Sequence, residues 1–322
     1  MNAIASLPPF DRVTGPRRVE NLDLYLVHGP DRCPDSFITL SEALDAKLGV
    51  VHETGEVREL EIENLSPDRD LFILAGEVVK GGRQDRTMGM DLVVPARSPR
   101  AKVPAFCVER RRWARRGAED AGSFSGSSTM IAKELLMKVK WEKCQMDVWE
   151  AVDAAQNSLS NSLGANVASM ASPSSYPLMM EDDRVRSRQA LLQQELGAWM
   201  ESQRDVIGFA FVINGRPSTA DVFASSRLAR SFSRKLLDAA IVTALVEGDR
   251  RRPANDEGPE LGADEVSRWL AAALDQRPSE VMDVPPRLRV EQGDYDAPRR
   301  TAFFASHDHG HGVCLHRSWT TL

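Results

Sequence analysis

Strand patterns lie at both ends of the chain and helix patterns lie between them, and this order constrains the fold most. Apolar residues predict a β-rich region over 16–113, a helical region over 122–248 and further strands over 280–317. Because the tail strands have no partners of their own, we expect them to rejoin the early sheet. The sequence therefore predicts an α+β fold with an antiparallel or mixed β-sheet core, a helical insertion, and one domain over 16–322 after a loose arm over 1–15.

Local signals place some of the helices and loops. Thr39 and Glu42 have the spacing of a capping box and predict the start of a short helix. Residues 165–180, rich in Ala, Ser and Pro, predict a loop. After an apolar strand and an Asn-Gly turn, a long helix is expected over about 219–247, with Asp221 near its N-terminus.

Composition excludes several classes of protein. The chain has 322 residues, of which 42% are hydrophobic and 27% are charged, which excludes a mostly disordered chain, a coiled coil and a fibre. A net charge of −6 argues against a dedicated nucleic-acid-binding protein. No secretory signal and no run of 18 apolar residues is present, so we expect no membrane partner. The four scattered cysteines predict a reduced, cytoplasmic protein.

Positive charge is concentrated over residues 97–116. This segment holds eight basic residues and one acidic residue, Glu109, so its local charge is +7. A solvated loop and strand end explains such a segment, and so does a surface that binds an anion or a phosphate. The sequence leaves both explanations open.

The densest group of polar residues follows the continuous apolar stretch Leu71–Ala75. Glu77 and Asp85 are candidate catalytic acids or bases, because carboxyl groups on a loop at the end of a buried strand are well placed for proton transfer. The candidate ligand-binding residues in the same loop are the cations Lys80 and Arg86 and the amide Gln84. The alternative is a glycine-rich turn whose charges pair with one another.

A second candidate group lies on the strand that follows. Cys107 and Glu109 are two residues apart and should share one face of a strand, where a thiol and a carboxylate can act as nucleophile and base. A buried Cys107 and a Glu109 paired with a neighbouring arginine is the alternative. Trp113 closes the segment as a packing residue or as a ligand-stacking residue.

Two further candidates lie in the second half of the chain. Asp221 either forms an N-capping arrangement with Ser218 at a helix start or binds a ligand. Four of the six histidines fall within His307–His316, which predicts a turn with incidental histidines or, as an alternative, a metal site. We assign no residue to a metal, and the residues name neither a cofactor nor an oligomeric state.

These motifs resemble a bacterial family, the ADP-ribosylglycohydrolase- and rhodanese-phosphatase-superfamily-associated protein domain. The resemblance rests on Ala75-Gly-Glu77 with Lys80–Arg86, on Val103–Glu109 and on Trp113, and it extends over about 16–317. It departs at Arg83, where the family's turn is expected to carry lysine. The resemblance implies a cytoplasmic protein found beside enzymes that handle ADP-ribose or phosphate esters, and it implies no established reaction.

The sequence supports three hypotheses about function. The first is an enzyme or ligand-processing domain that acts on a phosphorylated, nucleotide or ADP-ribose-like small molecule. The second is a non-enzymatic scaffold or partner protein in an NAD/ADP-ribose-linked or defence pathway, in which the charges of 77–86 form internal salt bridges. The third is a metal-binding protein that uses Cys, His and Glu side chains.

Overall fold

The computed structural model describes residues 10–126, 129–248, 261–296 and 299–322, and these residues form two compact units. The first, here called the split unit, combines the described residues up to Asp35 with those from Leu192 onwards. The second, the continuous unit, is Ser36–Leu191. The prediction of a single domain over 16–322 stays a prediction.

Seventeen strands occur in the described part of the chain. They are β1 (Arg12–Val19), β2 (Leu22–His28), β3 (Phe37–Thr39), β4 (Gly49–Glu53), β5 (Glu59–Asn64), β6 (Asp70–Ile73), β7 (Val78–Gly81), β8 (Arg86–Met88), β9 (Leu92–Val94), β10 (Ser98–Cys107), β11 (Phe124–Ser125), β12 (Val206–Ile213), β13 (Arg216–Phe223), β14 (Glu280–Val284), β15 (Leu288–Asp296), β16 (Arg300–Asp308) and β17 (Val313–Thr321).

Seven α-helices accompany these strands within the same described ranges. They are α1 (Leu40–Asp45), α2 (Lys133–Met137), α3 (Gln145–Ser162), α4 (Tyr176–Met180), α5 (Asp183–Ser202), α6 (Ser226–Glu247) and α7 (Ala263–Ala272), and a π-helical turn, Lys138–Glu142, follows α2. Among the described residues, no helix has both the length and the apolar character needed to span a membrane.

One antiparallel sheet of eight strands forms the split unit. Its strand order is β1-β2-β12-β13-β17-β16-β15-β14. The tail strand β17 pairs with β13, and β2 pairs with β12, so strands from both ends of the chain share one sheet. This confirms the α+β class and the return of the tail strands to a sheet that contains early strands.

Apolar side chains on the two faces of this sheet pack against helices. On one face, a buried cluster that includes Tyr25, Val222 and Trp319 packs with Trp269 of α7. The Trp269 indole N–H donates to the Thr301 hydroxyl at 3.2 Å, which satisfies a polar group that burial would otherwise leave unpaired. Helix α6 packs on β2, β12 and β13. The buried residues of α6 include Leu228, Phe232, Leu236, Ile241 and Leu245, which recur at helical spacing.

Two predictions for the split unit are wrong. The predicted loose arm over 1–15 includes Arg12, which starts β1 and pairs with His28 of β2; residues 1–9 lie outside the described ones. The predicted helix start at about 219 is also wrong, because β13 occupies that segment and α6 begins after the cap Ser225. Asn214 and Gly215 have φ of 52° and 72°, so they form a hairpin turn that requires a second strand.

Two smaller sheets form the framework of the continuous unit. The three-stranded sheet β3-β6-β9 pairs β3 with β6 in parallel and β6 with β9 in antiparallel fashion. The six-stranded sheet has the order β11-β7-β8-β10-β5-β4. The chain leaves buried β6 and enters the β7–β8 hairpin, so the polar segment 76–86 lies where one sheet ends and the next begins. The Thr39–Glu42 capping box forms at the start of α1 as predicted.

Two helical details of the continuous unit differ from the sequence prediction. The predicted loop over 165–180 contains α4, which Ser175 caps by accepting a hydrogen bond from the Leu178 N–H at 3.2 Å. Pro177 lies in its first turn, where the missing N–H of proline has no cost. Within the helical region predicted over 122–248, the first α-helix begins only at Lys133 and ends in the π-helical turn.

The Asp238→Asn variant tests one consequence of packing in the split unit. Burial raises the pKa of Asp238 on α6 to about 6, although a hydrogen bond from Gln193 opposes the shift. A carboxyl whose pKa is higher in the folded state binds more protons there, so the free energy of unfolding falls as pH rises from about 4 to 6. Asp238→Asn removes this loss and should be more stable than the wild type at pH 7.5, by about 1–3 kcal/mol.

Urea denaturation at pH 4.5 and pH 7.5 measures the effect. The two proteins should differ little at the lower pH and clearly at the higher one. A stability difference that is the same at both pH values would contradict the assignment of this loss to Asp238.

Candidate functional site

The segment 76–86 folds as a tight hairpin because its glycines adopt conformations that other residues resist. Gly76, Gly81 and Gly82 have φ of 92°, 128° and 54°. A Cβ atom on Gly82 would lie 2.4 Å from the Phe124 ring, so a side chain there would displace this ring. The hairpin therefore holds the polar side chains that follow it in fixed positions.

Asp85 is buried at the base of this hairpin, with 0% of its surface exposed. Its carboxylate accepts hydrogen bonds from the Gly81 N–H at 3.0 Å and from the Ser175 hydroxyl at 2.7 Å. Arg116 donates to both carboxylate oxygens, at 2.9 and 3.0 Å. Asp85 thus links the hairpin to the start of α4 and to an arginine 31 residues later.

Glu109 lies beside Asp85 and is equally buried. One carboxylate oxygen accepts from the Asp85 N–H at 2.9 Å and pairs with Arg112 at 2.6 Å. The other accepts from Arg116 at 3.0 Å. Burial alone would raise the pKa of Glu109, but hydrogen bonds from Arg112 and Ser172 lower it overall.

Asp85, Glu109, Arg112 and Arg116 form one buried ion network. Burial raises the pKa of Asp85, and the neighbouring Glu109 charge adds to this, although Arg116 opposes it. Arg112 also donates to the Gly81 and Gly82 carbonyls, both at 3.1 Å. The network fixes residues 110–116, here called the arginine loop, against the hairpin.

Glu77 has an observed contact within its own turn. Its carboxylate accepts from the Leu74 N–H at 2.9 Å, and its own N–H donates to the Leu74 carbonyl at 3.2 Å. The side chain is 0% exposed. Glu77 therefore closes the bend between β6 and β7, and its predicted catalytic role stays a prediction.

The predicted ligand-binding residues of the hairpin all contact other protein groups. Lys80 pairs with Glu181 at 2.7 Å. Gln84 donates to the Glu109 carbonyl at 3.0 Å, and the buried Arg86 donates to the Gln84 carbonyl at 3.1 Å. The Arg86 Nη2 lies 3.7 Å from Glu53. These contacts join the hairpin to its neighbours in the fold.

Cys107 ends β10 opposite Arg86 and is fully buried. Its thiol donates to the Glu109 carbonyl at 3.0 Å. Burial raises the pKa of the Cys107 thiol, which favours the protonated form over the nucleophilic thiolate. Gln145 was not among the predicted site residues. Its side-chain amide accepts from the Cys107 N–H at 2.8 Å and donates to the Cys107 carbonyl at 2.9 Å, and so attaches α3 to β10.

An open cleft of about 570 Å³ lies beside the arginine loop. We call it the arginine cleft. It is lined by residues 110–114 of the loop, by Asp153 and Gln156 of α3, and by residues 171–174. Its size is that of a small-molecule site. The predicted catalytic residues Glu77, Asp85, Cys107 and Glu109 are not among its lining residues.

Arg111 and Trp113 are the large exposed side chains of the loop in this cleft, and Ala114 beside them is also exposed. Arg111 has a φ of 77°, a left-handed conformation that is rare for a residue with a side chain. No hydrogen bond or ion pair of the Arg111 side chain is found among the described residues. Trp113 is 45% exposed, and the guanidinium groups of Arg83 and Arg86 lie 5.5 and 5.8 Å from its ring centre. The cleft therefore presents a cation and an aromatic ring.

Asp221 lies in the split unit, on β13 rather than at a helix N-terminus. Its carboxylate lies 3.0 Å from Nε2 of His316, and the His316 ring stacks on Phe223 at 4.7 Å. This corrects the N-cap interpretation, because the residue pairs with a strand and not with a helix.

The histidines around 307–316 are distributed over two strands and a turn. His307 and His316 lie on β16 and β17, and His311 lies in the turn, where Arg287 pairs with Asp308. His311 is 2.7 Å from Asp308. Within the described ranges, no three His, Cys, Asp or Glu side chains are grouped so that they could hold a metal ion.

Comparison with known proteins identifies the family. The model of the ARG and Rhodanese-Phosphatase-superfamily-associated Protein domain matches residues 12–315. The chain belongs to this family. No curated protein and no solved structure matches the chain. The match covers the arginine cleft and every residue that the sequence predicted for the site, so these are parts of the family domain.

The Arg116→Ala variant tests how much the ion network contributes to the free energy of unfolding. It deprives two buried carboxylates of a partner, and breaking a buried ion pair from one side costs about 3–5 kcal/mol. We expect a loss of that size in the free energy of unfolding, measured by urea denaturation. Arg115→Ala is the matched control, because Arg115 is an exposed arginine of the same loop. A loss below about 1 kcal/mol for Arg116→Ala, close to that of an ordinary surface change, would contradict the network's role.

Proposed function

We propose that the chain binds a phosphorylated, nucleotide-like small molecule in the arginine cleft. One observation carries the proposal: Arg111 has no partner among the described residues and faces a cleft next to a half-exposed tryptophan. A guanidinium binds phosphate oxygens in bidentate fashion, and an indole ring stacks on a nucleobase. The two groups together suit a ligand with a charged end and a flat ring.

The ion network supports this proposal because it pairs some arginines of the loop with buried carboxylates and does not include Arg111. Arg112 and Arg116 are neutralised by Asp85 and Glu109, so their charges stabilise the loop. Arg111 keeps its charge for a ligand. Its left-handed backbone persists because the side chain of the neighbouring Arg112 is bound to the Gly81 and Gly82 carbonyls of the hairpin. The framework thus fixes the backbone of the binding residue before the ligand arrives, which lowers the backbone entropy lost on binding.

The finer prediction, that the chain also processes its ligand through Glu77, Asp85, Cys107 or Glu109, stays a prediction. The second candidate function, a non-enzymatic scaffold or partner protein in an NAD/ADP-ribose-linked or defence pathway, is favoured by the internal pairing of Asp85 and Glu109. The cytoplasmic location also stays a prediction. Ligand binding separates the two functions, since the scaffold needs no small molecule in the cleft.

The Arg111→Ala variant tests the proposal. Thermal shift and calorimetry with ADP-ribose, ADP, AMP, ribose 5-phosphate and pyrophosphate should find at least one ligand that stabilises the wild type. Loss of a charged hydrogen-bonding partner should weaken that ligand about 10- to 100-fold in Arg111→Ala. Trp113→Leu should weaken nucleotides more than pyrophosphate, and Trp113→Phe should weaken them less.

Arg115→Ala is again the control, since it removes the same charge from the loop without changing the lining of the cleft. It should leave binding within about twofold, apart from the long-range effect of one surface charge. The proposal fails if no anionic ligand of the panel binds, or if Arg111→Ala and Arg115→Ala bind equally well.

A further inference from the structure

The arginine cleft also contains a carboxylate that phosphate recognition does not explain. Asp153 lies on α3, is partly exposed and lines the cleft. Across the described residues, no hydrogen bond or ion pair involves its side chain. A carboxylate repels phosphate at short range, so the part of a ligand that meets Asp153 is not the phosphate; it is a cationic group or an uncharged group that donates hydrogen bonds.

Gln156 adds a second acceptor on the same face of the helix. It lies three residues after Asp153, a spacing at which helical side chains are neighbours, about 5–6 Å apart at Cβ. Its amide nitrogen donates to the Pro173 carbonyl at 2.7 Å. The amide plane is thereby anchored, and its carbonyl oxygen is the end left to accept a hydrogen bond from a ligand.

We infer that Asp153 and Gln156 bind the vicinal hydroxyl groups of a ribose, so that the cleft selects ribonucleotides over deoxyribonucleotides. The inference rests on the proposed function, because it takes the phosphate to lie at Arg111 and the base at Trp113. Two neighbouring acceptors match two neighbouring hydroxyl donors. Ribose is also the part of a nucleotide that joins phosphate and base. A pair of diol-binding residues beside Arg111 and Trp113 therefore gives each part of the nucleotide a binding group.

The experiment measures binding by calorimetry for ADP, 2′-deoxy-ADP, inosine diphosphate and pyrophosphate. The wild type should bind ADP about tenfold more tightly than 2′-deoxy-ADP, since the deoxy ligand leaves a charged acceptor without its donor. Asp153→Ala should reduce this ratio to about 1–2 and leave pyrophosphate affinity unchanged or slightly improved. Asp153→Asn keeps the shape and one acceptor, so its ratio should lie between the two.

Glu150→Ala is the matched control, because Glu150 is an exposed acid on the same helix that does not line the cleft. It should keep the wild-type ratio. If Asp153 instead met the amino group of the base, Asp153→Ala would change the preference for ADP over inosine diphosphate and not the deoxy ratio, which would overturn the inference.

The remaining outcomes separate this inference from the proposed function. Pyrophosphate or ADP binding that depends on Arg111, with equal affinity for ADP and 2′-deoxy-ADP, overturns the ribose assignment alone. Binding of pyrophosphate without any binding of ADP overturns the ribose assignment and the nucleotide part of the proposed function, and leaves only anion binding at Arg111. If neither pyrophosphate nor any nucleotide binds to the wild type, both proposals fall together.

Discussion

The conformation of the arginine loop depends on two buried carboxylates that share two guanidinium groups. Removing Asp85 and Glu109 from water is unfavourable, and Arg112 and Arg116 offset this only because hydrogen bonds satisfy the carboxylate oxygens. The same contacts join the end of β10, the β7–β8 hairpin and the start of α4. The cleft beside the loop is therefore a consequence of the network, since the residues that line one side of it follow directly from Glu109.

Local sequence rules predicted much of the fold, since each depends on neighbouring residues. The capping box of Thr39 and Glu42 formed, and the apolar stretch at Leu71 became a buried strand that leads into the polar hairpin. The helix expected near 219 was wrong because Val222 and Phe223 fit a strand as well as a helix. The Asn-Gly turn carried the missing information: its mirror-image geometry suits a hairpin, so another strand had to follow.

The site was harder to predict because its contacts are distant along the chain. Asp85 meets Arg112 and Arg116 from 27 and 31 residues away. Residues 97–116 contain eight basic side chains and one acidic one, so the sequence offered a pair between Glu109 and a neighbouring arginine only as an alternative. The second carboxylate of the network, Asp85, lies outside this segment. Asp153 had no signal of its own either, because an acidic residue on a helix is ordinarily a solvated one.

The pairing of the buried charges also limits which side chains can take part in a reaction in this domain. A proton transfer through Glu109 would require Arg112 and Arg116 to release its oxygens, and those contacts hold the pKa of Glu109 below its usual value. Cys107 would first have to lose a proton that burial retains. Asp153 already faces the cleft and has no such contacts among the described residues. A reaction at this site would therefore require either rearrangement of the framework or a carboxylate that lies outside it, and the second route disturbs no buried charge.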